Sequence, residues 1–203
     1  MEKPYAPACD RNRQVILEVL KKIIDENCHH LLEIGAGTGQ HAVYMAPHFP
    51  QMKWVVSDVA AHSLGIKMWL KESNAKNIEG PIRLEIGKDD FPTDRSFQVV
   101  FTANTMHIMA WKQVKSMIKL CGKRLRVGAK MCVYGPFNYN QTYTSESNAK
   151  FDKFLKARDP QSGIRHFEDV DKAMQQAGFI LHQDIAMPAH NHFLIYQRRL
   201  HGS

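Results

Sequence analysis

The sequence predicts an α/β fold with a mostly parallel, seven-stranded sheet, an antiparallel final hairpin and helices on both faces. Apolar runs of strand length alternate with longer segments in which apolar residues recur at steps of three and four, the order of a doubly wound sheet. The first apolar run ends in a glycine-rich turn at residues 35–39, where a helix follows. The last two apolar runs are joined by a short link, which predicts a hairpin.

Size and composition are those of an ordinary globular protein. The chain has 203 residues, of which 44% are hydrophobic and 23% charged. We expect one domain over residues 1–203, with an extended arm at 1–10 and a disordered tail at 200–203. No apolar run is long enough to span a bilayer, and the N-terminus lacks the regions of a signal peptide. We therefore expect a cytosolic protein without membrane contact.

The cysteines and histidines show no metal-binding pattern. The four cysteines form no Cys-x-x-Cys pair and no zinc spacing with histidine, so we expect reduced thiols. The His-Asn-His segment at 190–192 lacks a third ligand. We predict no metal site.

The N-terminal half alternates helix and strand. Its predicted elements are a helix at 11–26, strands at 30–34, 53–57, 82–86 and 97–102, a helix from Gln40 to before Pro47, and a helix at about 60–72. Asp10 is a candidate N-cap of the first helix.

The C-terminal half continues this alternation. Its predicted elements are a helix at 111–121, a strand at 129–134, a helix from Ser145 to before Pro160, a helix at 167–177, and strands at 179–183 and 192–197. Ser145 is a candidate N-cap. Phe151, Phe154 and Leu155 are predicted to face the core from the helix that follows Ser145.

The turn after the first strand is the most informative motif. Residues 31–41 read Leu-Leu-Glu-Ile-Gly-Ala-Gly-Thr-Gly-Gln-His. Gly35, Gly37 and Gly39 allow close approach of a ligand, and the helix behind them offers unpaired N–H groups that suit a carboxylate or phosphate. The third glycine of a dinucleotide-binding motif would fall at Gln40, and no P-loop lysine follows. The turn resembles motif I of the class I S-adenosylmethionine (SAM) methyltransferases, which implies a Rossmann-like fold and SAM as cofactor.

Nearby acids are candidate contacts for this cofactor. Asp58, nineteen residues after Gly39, lies at the tip of the neighbouring strand, where a carboxylate can accept from both ribose hydroxyls. Asp58 alone would equally cap the next helix, but the glycine turn at this separation favours the ribose role. The resemblance implies that Glu33 helps to hold the amino-acid part. It also implies that an acid near the third strand meets adenine, for which we choose Glu85 with Asp89 as competitor.

The segment 103–111, after the fourth strand, carries a candidate general base. It resembles the Asn-x-Leu-His segment of small-molecule methyltransferases, with Met106 in place of leucine. It lacks the Asn-Pro-Pro-Tyr block of amino-directed nucleic-acid methyltransferases. We predict that Asn104 touches SAM and that His107 accepts a proton from the substrate. The alternative, that His107 caps a helix or orients a neighbour, stays open.

Residues 135–148 read as a long aromatic and amide-rich loop with no charge before Glu146. Such a loop suits a lid over a substrate. The alternative is an Ω-loop packed for its own stability. The candidate substrate contacts are Asn138, Tyr139, Tyr143 and Asn191.

The N-terminal segment also has a candidate role. In a doubly wound fold, a helix before the first strand commonly packs over the cofactor crevice. Tyr5, Arg11 and Asn12 are therefore candidates for closing the site, and we assign Arg11 to the cofactor. The alternative is a surface arm followed by a capped helix.

The charge is +7 and uneven, with no acid between Arg95 and Gln141. Lys112, Lys115 and Lys119 share one face of a predicted helix, which is compatible with a nucleic-acid surface. No arginine–aromatic interleaving accompanies them. We favour a solvated helix face whose opposite side packs on the core.

Over essentially its whole length, the chain resembles a branch of SAM-dependent methyltransferases that occurs as small stand-alone proteins and is described as a domain of unknown function. The matching segments include Tyr-Gly-Pro-Phe-Asn-Tyr-Asn at 134–140, Tyr-Thr-Ser-Glu-Ser-Asn at 143–148 and Arg-Asp-Pro at 158–160. Glu85 departs from this pattern, since an aspartate is expected there. The resemblance implies the fold and SAM binding but no substrate.

Three functions are compatible with these motifs. The first is methyl transfer from SAM to an O, N or S atom of a small molecule. The second is methylation of RNA or protein, favoured by the positive charge. The third is SAM binding without methyl transfer, as in a sensor, a partner-activated subunit or a SAM cyclase.

Overall fold

The computed structural model describes residues 2–199, which fall into two compact units divided between Thr102 and Ala103. Strands of the first unit are parallel, and those of the second are mainly antiparallel, with helices around them. This confirms the predicted α/β class with parallel strands first and an antiparallel hairpin last. The single domain over 1–203 stays a prediction, and the predicted tail at 200–203 lies outside the described residues. Within residues 2–199, no helix combines the length and apolar character that crossing a bilayer requires.

The first unit is built on parallel strands, most of which are buried on both faces. Its elements are α1 (Pro7–Ile23), β1 (His30–Ile34), α2 (Gln40–Met45), β2 (Lys53–Asp58), α3 (Ser63–Glu72), β3 (Ile78–Arg83) and nearly all of β4 (Val99–Ala103). The strand order is β3-β2-β1-β4. Leu31, Leu32 and Val56 are inaccessible to solvent, as continuous apolar runs in a covered parallel sheet require. Because Ile34 pairs with Ser57, the carboxyl ends of β1 and β2 meet at one edge.

The second unit is built on an antiparallel hairpin. Its elements are α4 (Trp111–Arg124), β5 (Lys130–Asn138), α5 (Glu146–Arg158), β6 (Arg165–His166), α6 (Phe167–Gln176), β7 (Phe179–Met187) and β8 (Asn191–Arg198). β8 lies between β5 and β7 and is antiparallel to both. The short strand β6, which the sequence did not predict, pairs in parallel with the end of β5.

Two predictions in the first unit are corrected. The first helix begins at Pro7, with Ala6 as N-cap, so Asp10 lies within the first turn and the extended arm is shorter than predicted. Proline at N1 has the helical φ already set, which explains the early start. The third strand covers 78–83 instead of 82–86, because its ladder with β2 starts at Trp54. The Gly-Pro pair at 80–81 looks like a break in sequence but is tolerated on an edge strand.

Two predictions in the second unit are also corrected. β5 continues to Asn138, so the predicted loop shrinks to residues 139–145. Ser145 caps α5 as predicted, its Oγ accepting the Asn148 N–H at 3.1 Å. The buried face of α5 is nevertheless not the aromatic one, since Phe154 is 55% exposed. That face carries Asn148, Asp152 and Leu155.

Candidate functional site

The glycine turn of the first unit forms a corner with open space in front of it. Gly37 has a φ of +62°, and a Cβ built on it meets nothing within 4 Å. Gly39 is the N-cap of α2. Gly35 donates its N–H to Ser57 O at 3.0 Å, which ties the turn to the end of β2. The turn therefore presents bare backbone to an open space at the start of a helix.

Asp58 faces this turn. Its Oδ2 accepts the Gly37 N–H at 2.7 Å, and its Oδ1 accepts the Val59 N–H at 2.7 Å and lies 2.9 Å from His62 Nδ1. Only 8% of Asp58 is exposed. The structure thus brings together the two features, glycine turn and strand-tip acid, whose separation in sequence suggested a nucleoside site.

Glu33 has a buried partner. Its Oε2 accepts the Trp54 Nε1–H at 2.7 Å, and the residue is 1% exposed. Burial raises the pKa of the Glu33 carboxyl to about 8, against the lowering effect of the Trp54 hydrogen bond. Glu33 is therefore mostly neutral at pH 7.

Gln40 is a polar residue of this corner that sequence reasoning did not select. Its Oε1 accepts from the Ala6 N–H at 2.7 Å and from Thr38 Oγ1 at 2.9 Å. Its Nε2 is buried and has no hydrogen-bond partner. An amide donor without a partner in a buried place points to a missing acceptor. The signal in the sequence is its position, the first helical residue after the glycine turn.

The N-terminal segment lies on α3. Pro4 packs against Gly65, where a Cβ would come within 2.5 Å of Pro4 Cγ, and Pro4 O accepts the Trp69 Nε1–H at 2.7 Å. The Tyr5 ring stacks on Trp69. The N-terminal segment is thus packed against the surface of α3.

Two further candidates on α1 have different surroundings. Arg11 is exposed. Asn12 is buried and binds His41 Nε2 through its Oδ1 at 2.7 Å. Asn12 therefore joins α1 to α2, and its role in closing a site stays a prediction.

Both candidates for the adenine contact lie in the turn after β3. The Glu85 N–H donates to Asp89 Oδ2 at 2.8 Å, and Arg83 pairs with both acids. Lys88 pairs with Glu85 at 2.6 Å. One turn therefore holds both acids in one ion network, and the alternatives stay open.

In the second unit, Asn104 and His107 lie against Gly135. A Cβ on Gly135 would lie 3.7 Å from His107 Nδ1 and 4.0 Å from Asn104 Oδ1. Asn104 has a φ of +58° and donates its N–H to Tyr134 O at 2.9 Å. Asparagine adopts this left-handed conformation more often than most other non-glycine residues.

The His107 ring is buried and neutral. It is 5% exposed and packs edge-on against Phe151, with ring centroids 5.3 Å apart. Burial, and to a lesser degree the charge of Arg165, lowers the pKa of His107 to about 4. At neutral pH the imidazole therefore has a free lone pair but is a weak base.

The four candidate substrate contacts differ in their surroundings. Asn138 lies in β5 and is 4% exposed, with its Oδ1 buried and unpartnered. Tyr139 donates its hydroxyl to Asp184 at 2.7 Å, and burial is the main cause that raises its pKa. Asn191 donates to Pro188 O at 3.0 Å within the hairpin turn. Only Tyr143, at 44% exposure, combines a loop position with an open ring.

The apolar side of the basic helix packs on the core as predicted, and its exposed lysine side is compatible with both interpretations. On α4, Lys112, Lys115 and Lys119 are exposed, whereas Val114 and Met117 are buried. Within residues 2–199, no group of three or more histidine, cysteine or acidic side chains is arranged to hold a metal ion.

Residues 3–198 match the model of a family described as "Protein of unknown function (DUF938)". The chain belongs to the DUF938 family.

Solved structures similar to this DUF938 chain are SAM-dependent methyltransferases. SibL, in its apo form, has a TM-score of 0.78 and 18% identity, over 95% of this chain and 56% of SibL. An O-methyltransferase family protein from Burkholderia thailandensis has a TM-score of 0.79 and 12% identity, over 96% and 58%. Human N-acetylserotonin methyltransferase in complex with SAM has a TM-score of 0.73 and 16% identity, over 93% and 55%. The chain therefore has the fold of the SAM-dependent methyltransferases.

One curated relative is an RNA enzyme by name. Ribosomal RNA small subunit methyltransferase G of Streptococcus gordonii is 28% identical over 145 residues, 71% of this chain and 59% of the relative. The DUF938 chain thus spans between half and two thirds of the length of these relatives.

Proposed function

We propose that this chain transfers the methyl group of SAM to an O, N or S atom of a small-molecule acceptor. The observation that carries the proposal is the contact between Asp58 Oδ2 and the Gly37 N–H, beside open space, in a chain with the methyltransferase fold. Both Asp58 oxygens already accept a backbone N–H, but a carboxylate has further acceptor capacity, and next to open space it fits a nucleoside with two vicinal hydroxyls.

The first unit offers a fit for each part of SAM. Asp58 would bind the ribose hydroxyls, and the turn at 35–39 would leave room for the part of SAM that leads from the ribose to the amino-acid group. The unpartnered Gln40 Nε2 suits a carboxylate, and Glu33 would meet the ammonium group. Glu85 or Asp89 remains the proposed adenine contact, and Arg11 remains a proposed cofactor contact, as does Asn104 of the second unit. When bound, SAM supplies an activated methyl group.

The second unit supports a small acceptor. The exposed side chains next to His107 are apolar: Ile108 is 51% exposed and Phe151 36%. A neutral His107 can accept the acceptor's proton, although its low pKa limits this contribution. Positioning and exclusion of water are then the main tasks of the protein. Among the fold relatives, N-acetylserotonin methyltransferase is a small-molecule enzyme by name.

The test is incubation of the chain with methyl-labelled SAM and fractionated cell extract. We expect label in a small-molecule fraction. Label in RNA or protein would favour a macromolecular acceptor. Label that always stays in SAM, despite measurable SAM affinity, would favour a binding protein without methyl transfer.

RNA methylation is a second candidate, favoured by the relative from Streptococcus gordonii and by the exposed lysines of α4. It requires tight RNA binding that weakens steeply with salt. Filter binding of ribosomal RNA at two salt concentrations tests it, with Lys112→Gln/Lys115→Gln/Lys119→Gln as the variant. Binding confined to low salt would count against this candidate.

A further inference from the structure

Residues 162–165 hold the segment that carries His107. Four consecutive carbonyls, those of residues 106–109, all accept hydrogen bonds from residues 162–165. In order, the donors are Arg165 Nε at 3.0 Å, the Gly163 N–H at 2.9 Å, Ser162 Oγ at 2.8 Å and Arg165 Nη2. These carbonyls end a single helical turn, in which the N–H groups of 108 and 109 donate to Thr105 O. Such carbonyls have no partner within the turn and need one from elsewhere.

Asp152 holds the 162–165 segment in turn. This carboxylate on α5 is 1% exposed, and its Oδ1 accepts the Ile164 N–H at 2.7 Å. Its Oδ2 accepts from the Tyr143 hydroxyl at 2.7 Å and from Lys156 Nζ. Burial alone would raise the pKa of Asp152, but the hydrogen bonds from Lys156, Tyr143 and Ile164 outweigh burial and lower it. Asp152 is therefore a charged, buried acceptor shared by three segments.

Gly163 shows how closely these segments approach. A Cβ on Gly163 would lie 2.9 Å from Asp152 Oδ1 and 2.9 Å from Lys156 Cε, and its φ is +149°. A side chain at 163 would push the segment away from Asp152. The same residue donates its N–H to His107 O, so the displacement would reach His107 directly.

Phe151 adds a second path from α5. It precedes Asp152 in the helix, and its ring packs against the His107 imidazole. The helix α5 thus carries Asp152 and, through Phe151, also contacts the His107 imidazole directly.

We propose that Asp152 is a positioning residue for His107, and that the Tyr143 hydroxyl connects loop 139–145 to this arrangement. The role of His107 as a base rests on the proposed function, whereas the mechanical connection does not. Tyr143 is 44% exposed, so its bond to Asp152 lies where an acceptor molecule that moves the loop can strengthen or break it. A loop that orders on the acceptor would then order the His107 segment with it.

The test follows the imidazole of His107 by ¹H–¹⁵N NMR in the full chain, without cofactor or acceptor. The chain has 11 histidines, and the signals lost in His107→Asn identify the relevant one. In Asp152→Asn we expect the His107 segment to loosen, so that its imidazole shifts change and its pKa rises by about one unit or more from about 4. In Tyr143→Phe we expect a smaller change of shifts in the same direction.

Glu146→Gln is the matched control. Glu146 forms an i,i+4 pair with Lys150 on the same helix, as Asp152 does with Lys156, but its side chain is 84% exposed. The Glu146→Gln substitution should leave the His107 signals unchanged. Should Asp152→Asn not fold, Tyr143→Phe, which removes one partly exposed hydroxyl, still decides the matter. Unchanged His107 signals in folded Tyr143→Phe would overturn the proposal. Because the readout needs no turnover, failure of methyl transfer would leave this result interpretable.

Discussion

The glycine corner of the first unit and the His107 region of the second are built in different ways. In the corner, the important contacts join one carboxylate, Asp58, to backbone groups at the ends of adjacent parallel strands. In the second unit, His107 is held by a segment more than fifty residues away in sequence, through arginine, serine and backbone donors. A site made by strand register can therefore be found from spacing, whereas a site made by long-range side-chain contacts cannot.

The two regions share one electrostatic property, since each buries an ionisable group in its neutral form. Burial raises the pKa of Glu33 to about 8 and lowers that of His107 to about 4. The raised pKa of Glu33 contributes stability that is fully present below its unfolded value of about 4.5 and is lost as pH rises through 8. The lowered pKa of His107 contributes stability present above about 6.5 and lost as pH falls through 4.

One added methyl group in each region gives the largest expected contrast. Gly37→Ala places a Cβ in open space, so it should cost about 1 kcal/mol of unfolding free energy for the positive φ but weaken SAM binding by up to roughly a hundredfold. Gly163→Ala should show the opposite balance. It should lower the unfolding free energy by about 2–3 kcal/mol through the contact with Asp152 and should have little effect on SAM binding. Calorimetry measures the affinity for SAM, and urea unfolding measures the unfolding free energy. Unweakened SAM binding in Gly37→Ala would show that the open space is not the cofactor's.

Asp58→Asn tests the carboxylate of the corner. The shape is kept, but a charged acceptor is lost, which is worth about 2 kcal/mol, or roughly thirtyfold in SAM affinity. Asp94→Asn, an exposed acid of the same unit that pairs with Arg95, is the control and should bind SAM normally. Equal affinities in the two variants would remove Asp58 from the site.

His107→Asn should lower methyl transfer by roughly twentyfold, below the usual contribution of a general base because the pKa is low, and should leave SAM affinity unchanged. Transfer by the unaltered chain should be independent of His107 ionisation from pH 6 to 8 and fall only towards pH 4. His182→Asn, an exposed histidine on β7, is the control. If transfer rates in the two variants match, His107 is not the base.

The protonation of Glu33 should make SAM binding depend on pH, an effect smaller than those above. A neutral Glu33 that meets the ammonium group of SAM must lose its proton, so binding should be about ninefold tighter at pH 7 than at pH 6. Calorimetry in buffers of different ionisation enthalpy should detect the released proton. Glu33→Gln should abolish this dependence. Proton release that persists in Glu33→Gln would assign it to another group.

The sequence is most informative where local patterns determine structure. The predicted bounds of β1 match the structure, and the separation of Gly39 and Asp58 correctly indicates that turn and acid meet. The predicted start of β3 is too late because its pairing partner, Trp54, lies on another strand. Apolarity predicts that Phe151, Phe154 and Leu155 form the buried face of α5. Leu155 is buried as predicted, but a paired Asp152 takes the place of the two aromatic residues.

The candidate substrate contacts also show the difference between what local sequence determines and what distant segments determine. The sequence predicts a loop at Asn138, but the ladder with β8 and β6 extends β5 through the Gly-Pro pair at 135–136. The partners of Tyr139, at Asp184 and His192, lie more than forty residues away in sequence. Neither contact has a signature in the sequence around Tyr139.

The α/β class, the glycine corner with its strand-tip acid, and the segment that carries His107 are all visible in the amino-acid sequence alone. The class and the corner depend on apolar periodicity and on the spacing of the glycines and the acid, whereas the segment that carries His107 is identified by its resemblance to a methyltransferase motif. The folded structure was needed to show that Gln40 has a donor without a partner, that Glu33 is buried and neutral, and that Asp152 holds the neighbourhood of His107. Burial and hydrogen-bond partners are properties of all the segments that surround a group, and most of those segments are distant in sequence.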